Sequence, residues 1–212
     1  MQIAAEFGYS FCIANKKRWK ADIVFANNSR FSSEVLAGDF RGVHLIRDPR
    51  DIVLSGMRYH LDAAEGWLHK PDKELDGQSY QQVLNGLSKD QQFNFELKRT
   101  ARDQFKDLLA WNYEDPRFYE LRYEDLMTDR AAVEFRNVLT FFAMPEDQIE
   151  GSCRILKQNS LFNENARMAN SRHIRDGRVR QWATQMTRSQ GESFAEVGGD
   201  LLIALGYEPN YD

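Results

Sequence analysis

Cysteine is scarce in this chain of 212 residues: Cys12 and Cys153 are the only two, and they fall in no pattern. Neither a disulfide framework nor a thiolate metal site is indicated. The four histidines show no ligand spacing, so no metal is expected. No apolar run approaches the roughly 20 residues of a membrane span, so no membrane association is expected. Met1-Gln2 leads into mixed sequence rather than a basic segment and an apolar core, which gives no sign of a secretory leader. A soluble, cytoplasmic protein is therefore the expectation, and the glycosylation match at Asn27-Asn28-Ser29 carries little meaning in that setting. A net charge of −4 argues against a general nucleic-acid binder, and no nucleic-acid partner is expected. No nucleophile elbow, zinc motif or glycine-lysine phosphate loop occurs, and Gly198-Gly199 falls inside a helical pattern. Repeats, low-complexity tracts and dividing linkers are absent too, so residues 1–212 are expected to form a single domain.

What is present is ordinary globular composition, 42% hydrophobic and 28% charged, with strands and helices in alternation. MQIAAEFG at the start reads as an amphipathic helix closed by Gly8. DIVFA, residues 22 to 26, is a continuous apolar run suited to a parallel strand covered on both faces. A short helix over Ser33 to Leu36 leads to a second strand, Val43 to Ile46. His69 to Gly77 is loop-like. Helices follow over Tyr80 to Leu87 and Gln91 to Tyr113, the second with Phe95, Leu97, Phe105, Leu108, Leu109 and Trp111 as its apolar stripe. Asp115-Pro116 stops that helix before an aromatic strand, RFYELRY, residues 117 to 123. Glu124-Asp125 opens a helix expected to carry Val133, Phe135, Val138, Leu139, Phe141 and Phe142 inward. Pro145 starts another toward Leu156, and Thr187 to Leu205 makes the last, ended by Gly206. This order predicts an α/β fold with a parallel sheet.

The chain is organised around RGVHLIRDPRDIVLSGMRYHL, residues 41 to 61. A strand too short for a helix turns at Arg47-Asp48-Pro49, where Asp48 is a good N-cap and Pro49 a good first helical residue. Strand, tight turn and helix start deliver ligand-binding groups at the carboxyl edge of a parallel sheet. Arg47 leaves the strand at that edge, and Ser55 lies two helical turns beyond Asp48 on the same face. Together they make a candidate phosphate clamp. The local pattern alone equally accommodates a surface arginine paired with Asp48 or Asp51.

Arg47-Asp48-Pro49-Arg50-Asp51, with Ser55 and the Tyr59-His60 pair in register, resembles the 3′-phosphate-binding segment of sulfotransferases that use 3′-phosphoadenosine 5′-phosphosulfate. Tyr119 to Leu126 looks like the strand-to-helix element of that family. Arg175-Asp176-Gly177 followed by Trp182 resembles its late phosphate-wrapping loop, and the Gly206-Tyr207-Glu208 ending also fits. The resemblance implies a three-layer α/β/α, P-loop NTPase-like sulfotransferase fold with a central parallel sheet. It implies that Arg47, Ser55, Arg175 and Gly177 bind the nucleotide, and that the acceptor is a small molecule or glycan bearing a hydroxyl or amine. Residues 167 to 188 hold six arginines against Asp176 alone, as an anionic ligand requires.

Two departures qualify this. The family's phosphate loop, roughly proline-lysine-serine-glycine-threonine-threonine, has no counterpart in these residues. The expectation is that its strand and loop are missing, with transfer impaired and a tendency to self-associate through the exposed sheet edge. Asn28 stands where many members place the histidine that takes the acceptor's proton, and an amide cannot serve as a base. His44 and His60 read as structural, while His69 and His173 show no partner in sequence. A non-catalytic nucleotide-binding or scaffold domain of the same fold is the competing reading. A P-loop kinase relative is disfavoured, because no Walker-type loop is present.

Overall fold

A computed structural model describes residues 1–14, 20–31, 33–160 and 178–209. In chain order the elements are α1 (Gln2–Glu6), β1 (Phe11–Ile13), β2 (Ile23–Phe25), α2 (Ser33–Leu36), β3 (Gly42–Ile46) and α3 (Pro49–His60). Next come α4 (Tyr80–Gly86), α5 (Lys89–Thr100), a π turn over Ala101–Phe105, α6 (Lys106–Ala110) and β4 (Phe118–Arg122). The series ends with α7 (Tyr123–Thr128), α8 (Val133–Phe141), α9 (Glu146–Asn159), α10 (Trp182–Gln185) and α11 (Arg188–Ala204). None of the helices in the described residues is long and apolar enough to cross a membrane. The chain divides into two compact units, one of Met1–Ile46 with Trp111–Gly177 and one of Arg47–Ala110 with Arg178–Asp212.

The first unit carries the strands. They are parallel, as the apolar runs predict, and fall into two hydrogen-bonded pairs, β1 with β2 and β3 with β4. In the second pair His44 lies opposite Glu120 and Ile46 opposite Arg122. The expectation that the 22–26 strand is covered on both faces does not hold: Phe25 is 54% exposed. Strand β3 alternates instead, with His44 and Ile46 buried and Val43 and Leu45 exposed. The long helix expected after Glu124 is interrupted. Ala132 adopts a left-handed conformation (φ 63°) and splits it into α7 and α8. The Asp129 carboxylate then accepts from the backbone N–H groups of Val133, Glu134 and Phe135, replacing the bonds the break costs. Helices α8 and α9 bury Leu139, Ile149 and Cys153 together, packed by Phe135, Phe142, Met144 and Leu156. Val133, expected inside, is 54% exposed, because it sits on the first turn of the restarted helix.

The second unit is helical. Asp48 caps α3 by accepting from Arg50 N–H at 3.0 Å, with Pro49 as the first helical residue. Loop residues 66 to 77 contain two short 3-10 turns, Gly66–His69 and Lys73–Leu75. Leu68, Tyr80 and Leu84 form one buried cluster, and Phe93, Leu97, Phe194 and Leu201 are also buried. The expected helix to Tyr113 ends at Ala110 instead. Leu108 is buried and Leu109 is 51% exposed, since neighbouring helical residues point about 100° apart and cannot both face inward. Helix α11 opens with a reciprocal capping box between Thr187 and Gln190. A side chain at Gly198 would place its Cβ 2.7 Å from the Phe194 ring and 3.1 Å from Phe105, so glycine permits this close packing.

Asp129→Ala removes three acceptor contacts at the start of α8. It is expected to lower unfolding free energy by about 0.5–2 kcal/mol, the range for loss of a helix cap, in equilibrium urea denaturation. No change would show that the α7–α8 break is held by packing alone.

Candidate functional site

Strand β3 ends at Ile46 and α3 begins at Pro49, so Arg47 and Asp48 form the whole turn between them. The two acids that open α3 have different partners. Asp48 is taken by Arg50, whose Nε and Nη2 donate to its two carboxylate oxygens at 3.0 and 2.8 Å. Arg50 also reaches Glu208 at 2.5 Å, and its guanidinium lies 3.4 Å over the Trp182 ring. Asp51, whose side chain is fully buried, faces Arg47 across 3.7 Å. That separation is an ion pair rather than a hydrogen bond.

Asp51 has a second partner that sequence reasoning missed. Its Oδ1 accepts the backbone N–H of Trp182 at 2.9 Å. Nearly two turns further along α3, Arg58 donates to Gln181 Oε1 at 2.8 Å. Gln181 is itself 8% exposed and donates to the Arg178 carbonyl. Two side chains of α3 therefore fix the segment that follows residue 177. The only sequence signal was Trp182 itself, which was read as a family landmark rather than as a partner of Asp51.

Ser55 is half-buried on α3, one turn beyond Asp51. At 1.5 Å per residue it stands about 6 Å along the axis from Asp51, in the row Arg47, Asp51, Ser55. A guanidinium, a hydroxyl and the N-terminal end of a 12-residue helix make a donor set suited to a phosphate. The calls on Arg175 and Gly177 lie outside the described residues.

Asn28 belongs to the first unit, in the loop after β2. It is exposed, and its Oδ1 accepts the backbone N–H of Arg30 at 3.1 Å, so it closes an Asx turn. Beside it Ser29 Oγ lies 2.8 Å from His44 Nε2, and His44 Nδ1 lies 2.7 Å from Glu120 Oε2. In the second unit His60 Nδ1 lies 2.9 Å from Glu96 Oε2, which also accepts from the Tyr80 hydroxyl at 2.7 Å. Burial, and the Glu96 charge after it, push the Tyr80 phenol well above its ordinary range. Both histidines thus have carboxylate partners that spacing in the sequence did not reveal.

The family model described as sulfotransferase domain matches residues 26–206. The chain belongs to the sulfotransferase domain family. Among solved structures it is similar to a crystal structure of retinol dehydratase in complex with androsterone and the inactive cofactor PAP, with a TM-score of 0.52 and 19% identity. That match covers 89% of this chain and 55% of the other, so the chain spans little more than half the length of its structural neighbour. At this identity the likeness concerns the fold: α/β with parallel strands, as the element order predicts. A search of curated proteins finds no match.

Burial raises the Asp51 carboxyl above its ordinary 3.8, against the lowering pull of the Trp182 N–H and of Arg47. A carboxyl raised in the folded state contributes stability below its unfolded pKa and loses it as pH rises through the folded value. Asparagine keeps an acceptor for Trp182 and carries no charge. Asp51→Asn is therefore expected to gain stability relative to the parent protein between about pH 4 and pH 7. Urea unfolding across that range reads the difference. An opposite slope would show that the Arg47 charge outweighs burial.

Proposed function

We propose that this chain binds 3′-phosphoadenosine 5′-phosphosulfate and takes part in moving its sulfuryl group to a hydroxyl or amine acceptor. The observation that carries the reading is Arg47, set in the turn between β3 and α3 and oriented by the buried Asp51 carboxylate 3.7 Å away. Family membership over residues 26–206 supports assigning that clamp to the 3′-phosphate. Arg47 would contribute charge-assisted hydrogen bonds. Ser55 would donate its hydroxyl, and the α3 N-terminus would add its dipole. Arg175 and Gly177 remain proposed as further ligands of the same phosphate. They precede Trp182 by seven and five residues, within roughly 25 Å of extended chain from a segment anchored on α3.

When bound, the donor supplies the sulfuryl group and a nucleotide leaving group. Transfer of this kind resembles phosphoryl transfer, in which positioning and electrostatic stabilisation do most of the catalysis. No residue of the 212 has the phosphate-loop pattern, so the groups around the sulfonate are not assigned here. The androsterone held by retinol dehydratase supports a small-molecule acceptor over a glycan. A second reading, a nucleotide-binding domain without transfer, is favoured by one observation: the Asn28 oxygen is engaged by Arg30, at the position where the family places its base.

Adenosine 3′,5′-bisphosphate is expected to raise the melting temperature of the protein well above the shift given by adenosine 5′-monophosphate. Arg47→Ala should cost about 1.5–3 kcal/mol of that binding, roughly 10- to 150-fold in Kd. Equal shifts from both nucleotides would overturn the clamp. Release of the bisphosphate from the sulfate donor across alcohol, phenol and amine acceptors separates transfer from binding alone.

A further inference from the structure

We propose that Ser29, His44 and Glu120 form a proton-transfer triad in which His44, acting through the Ser29 hydroxyl, supplies the base that Asn28 does not. The proposal rests on the sulfuryl-transfer reading for its reaction, and on geometry within the first unit for everything else.

Glu120 accepts at both oxygens. Trp111 Nε1, a donor only, reaches Oε1 at 2.7 Å, and His44 Nδ1 lies 2.7 Å from Oε2. Donation from Nδ1 to this carboxylate fixes the tautomer and leaves the Nε2 lone pair directed at Ser29 Oγ, 2.8 Å away. A hydroxyl within hydrogen-bond reach of an imidazole that is itself oriented by a carboxylate is the arrangement that activates a serine, and it recurs on unrelated folds. The parallel register sets the pair, since His44 and Glu120 are directly opposed on β3 and β4.

The surroundings suit the role. The His44 side chain is 8% exposed and Glu120 26%. Trp111 stacks on the imidazole, with ring centroids 4.1 Å apart, and shields it from water. Ser29 is half-buried in the loop beyond β2. Among the described residues, the titratable groups that face His44 are Glu120 and Tyr113, whose ring lies 6.0 Å away. Burial, and after it the Glu120 charge, push Tyr113 up to about 12, so Tyr113 stays neutral near pH 7. Among the described residues, the carboxylate that meets His44 is Glu120, at Nδ1.

The step balances as follows. The acceptor oxygen bonds to sulfur while the bond from sulfur to the 5′-phosphate oxygen breaks, and adenosine 3′,5′-bisphosphate leaves with that electron pair. The acceptor's proton passes to Ser29 Oγ as the Ser29 proton passes to His44 Nε2. Loss of the imidazolium proton to water restores the triad.

Three measurements on the 212-residue chain test this. In the first, a fluorophosphonate probe is expected to label Ser29 covalently: the phosphorus–oxygen bond forms, fluoride leaves, and His44 takes the proton. Peptide mass spectrometry locates the label. Ser29→Ala abolishes it, and His44→Gln lowers the labelling rate by roughly 10²-fold or more, the scale of general-base assistance. In the second, ¹⁵N NMR of the parent protein is expected to show His44 protonated at Nδ1 and unprotonated at Nε2. That measurement needs no variant and survives any loss of folding in His44→Gln. In the third, Ser29→Ala, which deletes one oxygen, lowers the rate of sulfuryl transfer by roughly 10²-fold or more and leaves the thermal shift with adenosine 3′,5′-bisphosphate unchanged. An unlabelled Ser29, or a proton on Nε2 in place of Nδ1, overturns the triad. A labelled Ser29 in a protein that transfers sulfate to no acceptor keeps the triad and overturns the sulfuryl-transfer reading.

Discussion

A single buried carboxylate, Asp51, sets the geometry of the second unit around the start of α3. Its burial is unfavourable, and its pKa is raised as a result, so it is kept only by partners. These include the Trp182 backbone N–H at 2.9 Å, 131 positions away in sequence, the Gln181 backbone N–H, and the Arg47 guanidinium at 3.7 Å. Removing any of them would leave a buried charge with less compensation, a far costlier change than losing a surface pair. Asp51 therefore orients the arginine that leaves β3 and ties down the chain that returns after residue 177. Arg58 and Gln181 repeat the tie further along the helix.

Arg50 and Arg47 have different partners in the turn. Arg50 is saturated: it forks onto Asp48, reaches Glu208 and stacks on Trp182. The Asp48 side chain serves at once as helix cap and as counter-ion, so its charge is absorbed locally. In this arrangement Asp48 and Arg50 carry the structure of the turn. Arg47, 19% exposed at its side chain, faces the buried Asp51 carboxylate instead.

The turn itself was legible in the sequence because its signals are local. Asp48 as cap, Pro49 as first residue and Asp51 in the first turn are all read within a few positions, and α3 forms as they dictate. The limits of α2, and those of α11 to within one residue at each end, were equally readable. What escaped was fixed by distant partners. The helix through 110 stops short of Tyr113 because Trp111 is drawn to Glu120 and His44, a tertiary preference that periodicity cannot show. The break at Ala132 depends on one Asp129 side chain capping the restarted helix. Asp51 read as first-turn acid, which it is, but nothing nearby announced Trp182.

The two carboxylate-bound histidines show most clearly why residue type and spacing did not suffice. Both sit in apolar surroundings, both pair through Nδ1, and both read as structural in sequence. Their outer environments differ. His60 meets Glu96, which is 2% exposed and already shared with Tyr80. A Cβ added at Gly56 would lie 2.7 Å from that carboxylate, so the helix is packed tightly onto it, and the rings of Tyr59, Trp67 and Tyr80 surround the imidazole. That is how the buried Glu96 carboxylate is satisfied. His44 has the same inner partner type, but its Nε2 faces the hydroxyl of Ser29 in a loop at the unit's surface. Such a pair stabilises a fold. A pair whose far nitrogen reaches a half-buried hydroxyl in a loop has a second partner through which a proton can pass.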